Sequence, residues 1–479
     1  MSTTLDTIPT VFAPGTPGYD AARGGFDLSA VPTPDVAVSA RDEADVVTAV
    51  RFAAERDLPV VVRTTGHGPV GGTAGGVLVD TRALARVAVD AQRRTAVVGG
   101  GATWTPVLAR CAPAGLIPLC GSSPDVGVAS YTMGGGLSPL GRRHGWAADR
   151  VRRVRLVTPD GEARDVTADS DPALFWAVRG GGSGFGVATE LEFDLVPGDA
   201  MYGGGLFLPG ECAPELLAAF GRVTAGAPDA LSLSVAFVSF PPIDAVPAPL
   251  RGRFVAHLRV TCTGSPEEAE RLIAPLRGVA TPIVDTVRPL PILEFGTVHG
   301  DPTTPQPVSC GGAVLPAWDD AAIEVLLDEI GPATPHMLEL RHLGGALARP
   351  AAVPDAVGNR DAAFNVFTSA YPGPAFADAA GVQTAFYERL SPWSGGRSLF
   401  NFTSRPDGAA VDARGAFDAE TLGRLQDVKA ATDPRNLFRT GVTIPAPATV
   451  SGVLPPQIRC DLGHVWFMFG GVTTSSLTV

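Results

Sequence analysis

Between Ser39 and Asp57 the apolar residues Val46, Val47, Val50, Ala53 and Ala54 fall on one helical face. Ser39 followed by Asp42 supplies a capping-box pattern ahead of them, so the periodicity predicts a helix ending near Asp57. The run Pro-Val-Val-Val-Arg at 59–63 is too short for a helix and reads as a buried strand. A glycine-rich turn over 64–76 leads to a second strand at 77–80, with further strands predicted at 87–90, 95–99, 151–158 and 187–195. Helices are predicted around 105–111, 214–223, 266–276 and 419–431. A βα start followed by clustered short strands predicts an α+β module rather than strict βαβ repetition. The stretch VPGDAMYGG at 196–204 marks a candidate domain boundary, after which residues 205–400 alternate strands with helices. No internal repeat is visible.

Composition narrows the picture. A chain of 479 residues accommodates about three average domains or two larger ones. With 45% hydrophobic and 18% charged residues it is built to bury a large core. A formal charge of −12 argues against a nucleic-acid partner, which needs a concentrated basic surface. The one basic cluster, Arg142, Arg143, Arg150, Arg152, Arg153 and Arg155, reads as the solvated side of a strand and its turn. No signal peptide is expected at the start, and the apolar run 465–469 is far shorter than the ~20 residues of a membrane span. Six cysteines (111, 120, 212, 262, 310 and 460) without a CxxC pair fit reduced thiols better than a disulfide framework or a metal site. A cytoplasmic protein with neither membrane nor metal is the expectation.

Four glycine-rich segments carry the candidate chemistry. In Arg63-Thr64-Thr65-Gly66-His67-Gly68-Pro69-Val70-Gly71-Gly72, the glycines satisfy GxGxxG directly after a strand. A dinucleotide fingerprint of that kind needs a helix next and an acidic residue about 20 positions on. Another strand follows instead, so a loop whose free N–H groups form an anion nest is the better reading. His67 stands in that loop, where a lone histidine is ordinarily a turn residue. The second segment runs from Gly121 through Ser122, Ser123, Pro124, Val126, Gly127, Ser130 and Tyr131 to Gly134-Gly135-Gly136-Leu137. The third is Arg143-His144-Gly145 with Asp149, and the fourth runs from Phe175 through Arg179-Gly180-Gly181-Gly182 to Gly186-Val187. Repeated glycines permit close backbone approach to a large ligand. Their clustering in the first 190 residues implies an extended ligand threaded among them.

In this order the segments resemble the FAD-binding domain of the berberine-bridge-enzyme-like oxidases, part of the vanillyl-alcohol-oxidase or PCMH-type flavoproteins. Leu399-Phe400-Asn401-Phe402 looks like that family's YLNF stretch, and Asp433-Pro434-Arg435-Asn436-Leu437-Phe438-Arg439 looks like its DPxNLFR ending. The resemblance covers about residues 30–446. It implies a two-domain α+β fold: an FAD-binding domain at 30–200, a substrate domain at 205–400 on an antiparallel sheet flanked by helices, and a segment 401–446 returning to the first. It also implies FAD bonded through its 8α carbon to His67. The residues implied to contact the cofactor are Arg63, Thr64, Thr65, Gly66, His67, Gly68, Ser122, Ser123, Val126, Gly127, Ser130, Tyr131, Gly135, Gly136, Leu137, His144, Gly186, Val187, Asn401 and Asn436.

Departures from the family pattern refine these expectations. Ser123 occupies the cysteine position of the doubly linked members' CPxVG motif, so a single linkage is expected, with Cys120 a buried small hydrophobe. Val126 holds the position where valine accompanies oxidases, which favours O2 as electron acceptor. The family's strand carboxylate aligns with Phe367, near Asn365, and the YLNF tyrosine is Leu399. Tyr131 and Tyr371 therefore become the leading proton-accepting candidates, with Tyr387, His342 and Asp361 behind them. A tyrosine base needs its pKa of about 10 lowered by a neighbouring donor or cation. The expected reaction is hydride removal from an alcohol or amine carbon of a small molecule, sugar-like or alkaloid-like. The alternative is a flavoprotein whose FAD is structural and whose substrate undergoes no net redox change. Residues 447–479 carry no legible motif.

Overall fold

The first strands are short and apolar on both faces, as suits a parallel sheet covered on each side. In the computed structural model, which describes residues 3–29, 31–68, 74–198, 200–370, 379–403 and 411–445, Val36–Ser39 and Val60–Arg63 flank Val77–Asp80 in parallel register. Val11–Phe12 adds an antiparallel edge. Helix Glu43–Glu55 buries Val46, Ala49, Val50 and Ala53 beside these strands. Its cap is Asp42, whose carboxylate accepts the Asp45 N–H at 3.0 Å. Ser39, expected in the capping box, belongs to the strand instead, and its hydroxyl donates to Asp80 at 2.9 Å. The strand carboxylate outcompetes the helix terminus for that hydroxyl.

A second sheet is antiparallel, in the order Val87–Asp90, Thr95–Gly99, Val187–Asp194, Val151–Val157 and Ala163–Val166. Here the basic cluster divides. Arg152, Arg153 and Arg155 pair with Asp194, Asp165, Glu190 and Glu43, as a solvated strand face would. Arg142 does not belong with them. It is 4% exposed, and its guanidinium donates to the carbonyls of Leu231, Ala227, Pro228 and Leu343.

Residues 201–370 build the third and largest sheet, mostly antiparallel hairpins and returns. Its order is Val284–Asp285, Met201–Pro209, Phe254–Thr263, Leu231–Ser239, Met337–His342, Phe364–Ala370 and Ser309–Leu315, with Arg288–Pro289 beside the second. Alternation sorts its side chains by face. Leu206, Leu233, Leu258, Leu340 and Val366 pack with residues of helices Ala213–Ala225, Pro266–Arg277, Asp320–Glu329 and Ala379–Ser394. The opposite face carries the intervening polar residues. The architecture is therefore α+β, with an antiparallel sheet flanked by helices.

After helix Ala419–Thr432 the chain returns to the first sheet. Asp433 accepts the N–H groups of Leu437 and Phe438 at 2.8 and 2.9 Å, and Val60 donates to the Leu437 carbonyl at 2.9 Å. Lys429 anchors the turn through Asp433 and the carbonyls of Gly184 and Phe438. Tyr371, Gly71, Gly72 and the segment 447–479 lie outside the described residues. No helix among the described residues is long and apolar enough to cross a membrane, and no cluster of metal-ligating side chains occurs among them.

One buried cluster yields a pH prediction. Arg360 donates to Asp149 at 2.6 Å and to both oxygens of Asp355 at 2.9 Å. Burial raises the Asp355 carboxyl to about 6, Arg360 opposing and Asp149 reinforcing the shift. The folded chain thus holds this proton more tightly than the unfolded chain does. The resulting stabilisation is full below 3.8 and lost as pH rises to about 6. Across that rise Asp355→Asn is expected to gain on the wild type by up to about 3 kcal/mol. Urea unfolding at the two ends of the window checks this, and a pH-independent difference contradicts it.

Candidate active site

Strand Val60–Arg63 ends by delivering Arg63 into a buried position against Gly25 and Gly66. Its Nε donates to the Gly24 carbonyl at 3.0 Å, while both terminal nitrogens are buried with no partner among the described residues. Gly66 takes φ 69°, which turns the chain back after the strand. Its carbonyl and that of Thr65 accept from Asp27 and Phe26 at 3.0 and 2.8 Å. Phe26 then stacks on His67, with ring centroids 4.2 Å apart and planes 12° from parallel. His67 Nδ1 lies 2.9 Å from the Thr65 hydroxyl, while Nε2 is buried without a partner among the described residues. Burial lowers the imidazole pKa, so the ring is neutral at neutral pH. Gly68 is exposed beyond it.

The second segment lies beside this loop: Thr64 bonds Thr81 at 2.7 Å, and a Cβ on Gly127 would sit 3.3 Å from the Thr64 methyl. Ser122, Ser123 and Val126 are half-buried, and the Ser123 hydroxyl is buried without a partner among the described residues. Gly127 opens the short helix Val128–Met133, on which Ser130 is exposed and Tyr131 faces inward. The Tyr131 ring meets Trp104 edge-on at 5.5 Å and is hemmed by Gly121 and Gly136. Asn401, far away in sequence, donates to the Tyr131 carbonyl at 2.7 Å and packs against Gly134. Gly135 and Gly136 adopt φ 104° and 76°, and Leu137 is buried beside Trp146 and Leu399.

Other predicted contacts lie apart from His67. The His144 carbonyl accepts from Arg150 at 2.8 Å, and burial with Arg150 and Arg143 holds its ring near 4. Gly186 presses against the Val157 carbonyl, leaving no room for a Cβ, and Val187 pairs with Val157. Asn436 is exposed in a left-handed turn, φ 51°, beside the start of the strand that ends at Arg63.

The base candidates fare differently from expectation. Burial raises the Tyr131 phenol well above 10, the direction opposite to that a base requires. Its hydroxyl is buried with no partner, so no donor among the described residues is in place to lower it. Tyr387 sits on the helix side of the large sheet, bonded to Thr368 at 3.1 Å and likewise pushed up. His342 is held near 3 by burial and by Arg142, 3.1 Å away. Asp361 is exposed and pairs with Arg397 at 2.7 Å.

What sequence reading missed is the polar face of the large sheet. Arg259, Ser234, Arg341 and Asn365 stand cross-strand from one another in a single row. Beside it run His257, Ala236, Glu339 and Phe367. Phe367 holds the position where the resemblance implies a carboxylate, and one, Glu339, stands directly opposite it on the next strand. Glu339 binds Arg341 at 3.0 and 3.1 Å and Arg259 at 3.1 Å. Burial alone would raise its pKa, but Arg341 and Arg259 outweigh that and keep it ionised. His299 stands 3.8 Å away, with both ring nitrogens buried and unpartnered, and the Asn365 amide is fully buried and unpartnered too. A cavity opens here, between Leu137, Ser138, Pro139 and Arg142 on one side and Arg259, His299 and Arg341 on the other. The signal was present in Met337-x-Glu339-x-Arg341 and His257-x-Arg259, where charges alternate with core residues.

The buried, unpartnered groups of Arg63, His67, Ser123 and Tyr131 suit a large cofactor with anionic and hydrogen-bonding edges. Together, sheets and loops form the fold seen in berberine-bridge-enzyme-like, PCMH-type structures. Residues 34–167 match the FAD binding domain family. It is 31% identical over 294 residues to (R)-6-hydroxynicotine oxidase of Paenarthrobacter nicotinovorans, covering 60% of this chain and 62% of that one. The match thus spans less than two thirds of that relative's length. It is 25% identical over 442 residues to an FAD-linked oxidoreductase of Bacillus subtilis, covering 90% and 95% of the two chains. The Physcomitrella patens BBE-like 1 structure shares its fold, with a TM-score of 0.80 at 21% identity, over 92% of this chain and 98% of that one.

Proposed function

We propose that this protein is an FAD-dependent oxidase of a small molecule, with the cofactor bonded once, to His67, and O2 as the electron acceptor. One observation carries the reading. A neutral imidazole, held by Phe26 and Thr65, keeps Nε2 buried and without a partner among the described residues, in the loop whose Gly66 packs against the Arg63 guanidinium. With Nδ1–H donating to Thr65, Nε2 holds the free lone pair that an alkylation needs. Cys120 packs in the core with its thiol pushed up by burial, and Ser123 replaces a second anchoring thiol; both favour a single bond.

Bound FAD would supply the acceptor for a hydride. The chain's own residues hold and orient. Arg63 directs two N–H groups at an acceptor, and Tyr131, kept protonated, donates rather than accepts. Oxidation of a carbinol or amine carbon also requires a group to take the heteroatom's proton. We assign that role to His299, which lines the cavity with both nitrogens unpartnered, whereas His342 is engaged by Arg142. Burial and the charges of Arg259 and Arg341 depress the His299 pKa, so its basicity depends on what else enters the cavity.

Reoxidation tests the oxidase reading without a known substrate. After anaerobic reduction with dithionite, admission of air is expected to restore the oxidised flavin spectrum rapidly. Val126→Ile, at a half-buried position packed on the core, is expected to slow that return about tenfold or more, a barrier increase of about 1.4 kcal/mol. Slow return in the wild type contradicts O2 as acceptor.

A further inference from the structure

Three arginines, Arg142, Arg259 and Arg341, line the cavity, and no Asp or Glu is among the described residues that line it. This occurs in a chain whose formal charge is −12. Glu339 lies behind the wall and is shared between Arg259 and Arg341, so those two leave one positive charge uncompensated. Arg142 faces backbone carbonyls and His342; Asp229, the carboxylate that acts on it, is itself paired with Arg349 at 2.8 Å. His257, His299 and His342 are neutral, so they cancel nothing. Buried cations without a counter-charge are costly, and a guanidinium matches a carboxylate's planar fork. Ser232, Ser234 and Thr261 add neutral hydroxyls on the same wall.

We propose that the substrate of this site is a carboxylic acid, its carboxylate seated against Arg259 and Arg341. This rests on the cavity being the substrate site of the proposed flavoenzyme. The acid group is a handle and is not itself oxidised. Its charge offsets the net positive charge of the two arginines and so removes the lesser of the causes that hold the His299 pKa down, burial being the larger. A neutral sugar or a cationic amine would leave the remaining positive charge of that pair uncompensated.

The experiment is calorimetric titration of the flavin-containing protein with benzoate, benzamide and benzylamine, probes of one shape and three charges. Flavin content is read from absorbance beforehand. A sample without flavin counts against the proposed function, whereas the titration reports on the cavity in either case. Benzoate is expected to bind about tenfold or more tightly than benzamide, with benzylamine weakest. Ser232→Asp places a carboxylate on the wall without removing an arginine contact, and is expected to abolish the preference for benzoate. Equal binding of benzoate and benzamide, absence of benzoate binding, or a preference that survives Ser232→Asp would each overturn the proposal. Arginines that serve only the fold or the cofactor would give the first or second of these results.

Discussion

Glu339→Gln is expected to destabilise the protein by about 3–5 kcal/mol, measured by urea unfolding near neutral pH. The substitution preserves shape but removes the one charge between Arg259 and Arg341, which are 6% and 9% exposed. Two guanidinium groups would then face each other in a site that water hardly reaches. Against a typical domain stability of about 5–15 kcal/mol, that is a large fraction. The wild-type contribution is present above the unfolded carboxylate pKa and is lost as pH falls through the lowered folded value. The Glu339→Gln variant should therefore converge on the wild type in acid. A variant as stable as the wild type at neutral pH would mean that the row of charges tolerates uncompensated arginines, and would weaken the case for an anionic ligand.

The second large effect is expected at His67. His67→Ala should fold, because the side chain is only half-buried and its partners are Phe26 and Thr65 in adjoining loops. Arg63 and the segment around Tyr131 keep their buried polar groups, so FAD can still bind without a covalent bond. Denaturing electrophoresis should show a fluorescent flavin band for wild type and none for His67→Ala. Retention of fluorescence by the variant would move the attachment elsewhere.

Much of this architecture was legible in local pattern. The strands Val77–Asp80, Val87–Asp90 and Thr95–Gly99 stand where apolar runs between turn residues predicted them. Helix Pro266–Arg277 starts where Ser265 caps it, and its last residue is one beyond the predicted end. The loop around His67 could be read because its glycines and histidine are contiguous. What escaped notice depends on strand pairing. Arg142 looked like part of a solvated cluster, because the carbonyls that bury it come from residues 85 to 201 positions away. Glu339 and Arg341 alternate with Leu338 and Leu340 as any half-buried strand does, and only register places Arg259 and Asn365 beside them. The family's carboxylate position is Phe367 in this chain, and the buried carboxylate, Glu339, stands on the neighbouring strand opposite it. Tyr131 was the leading base candidate, but burial against Trp104 and the glycines raises its phenol, and the charge of Arg341, which acts the other way, does not outweigh that.

The most direct test of the central claim is peptide mass analysis of the denatured wild-type protein. The peptide containing His67 is expected to be heavier than its sequence by one FAD less two hydrogens, with the peptide containing Cys120 unmodified. An unmodified His67 peptide, with the flavin released into solution or found on another residue, would contradict the account.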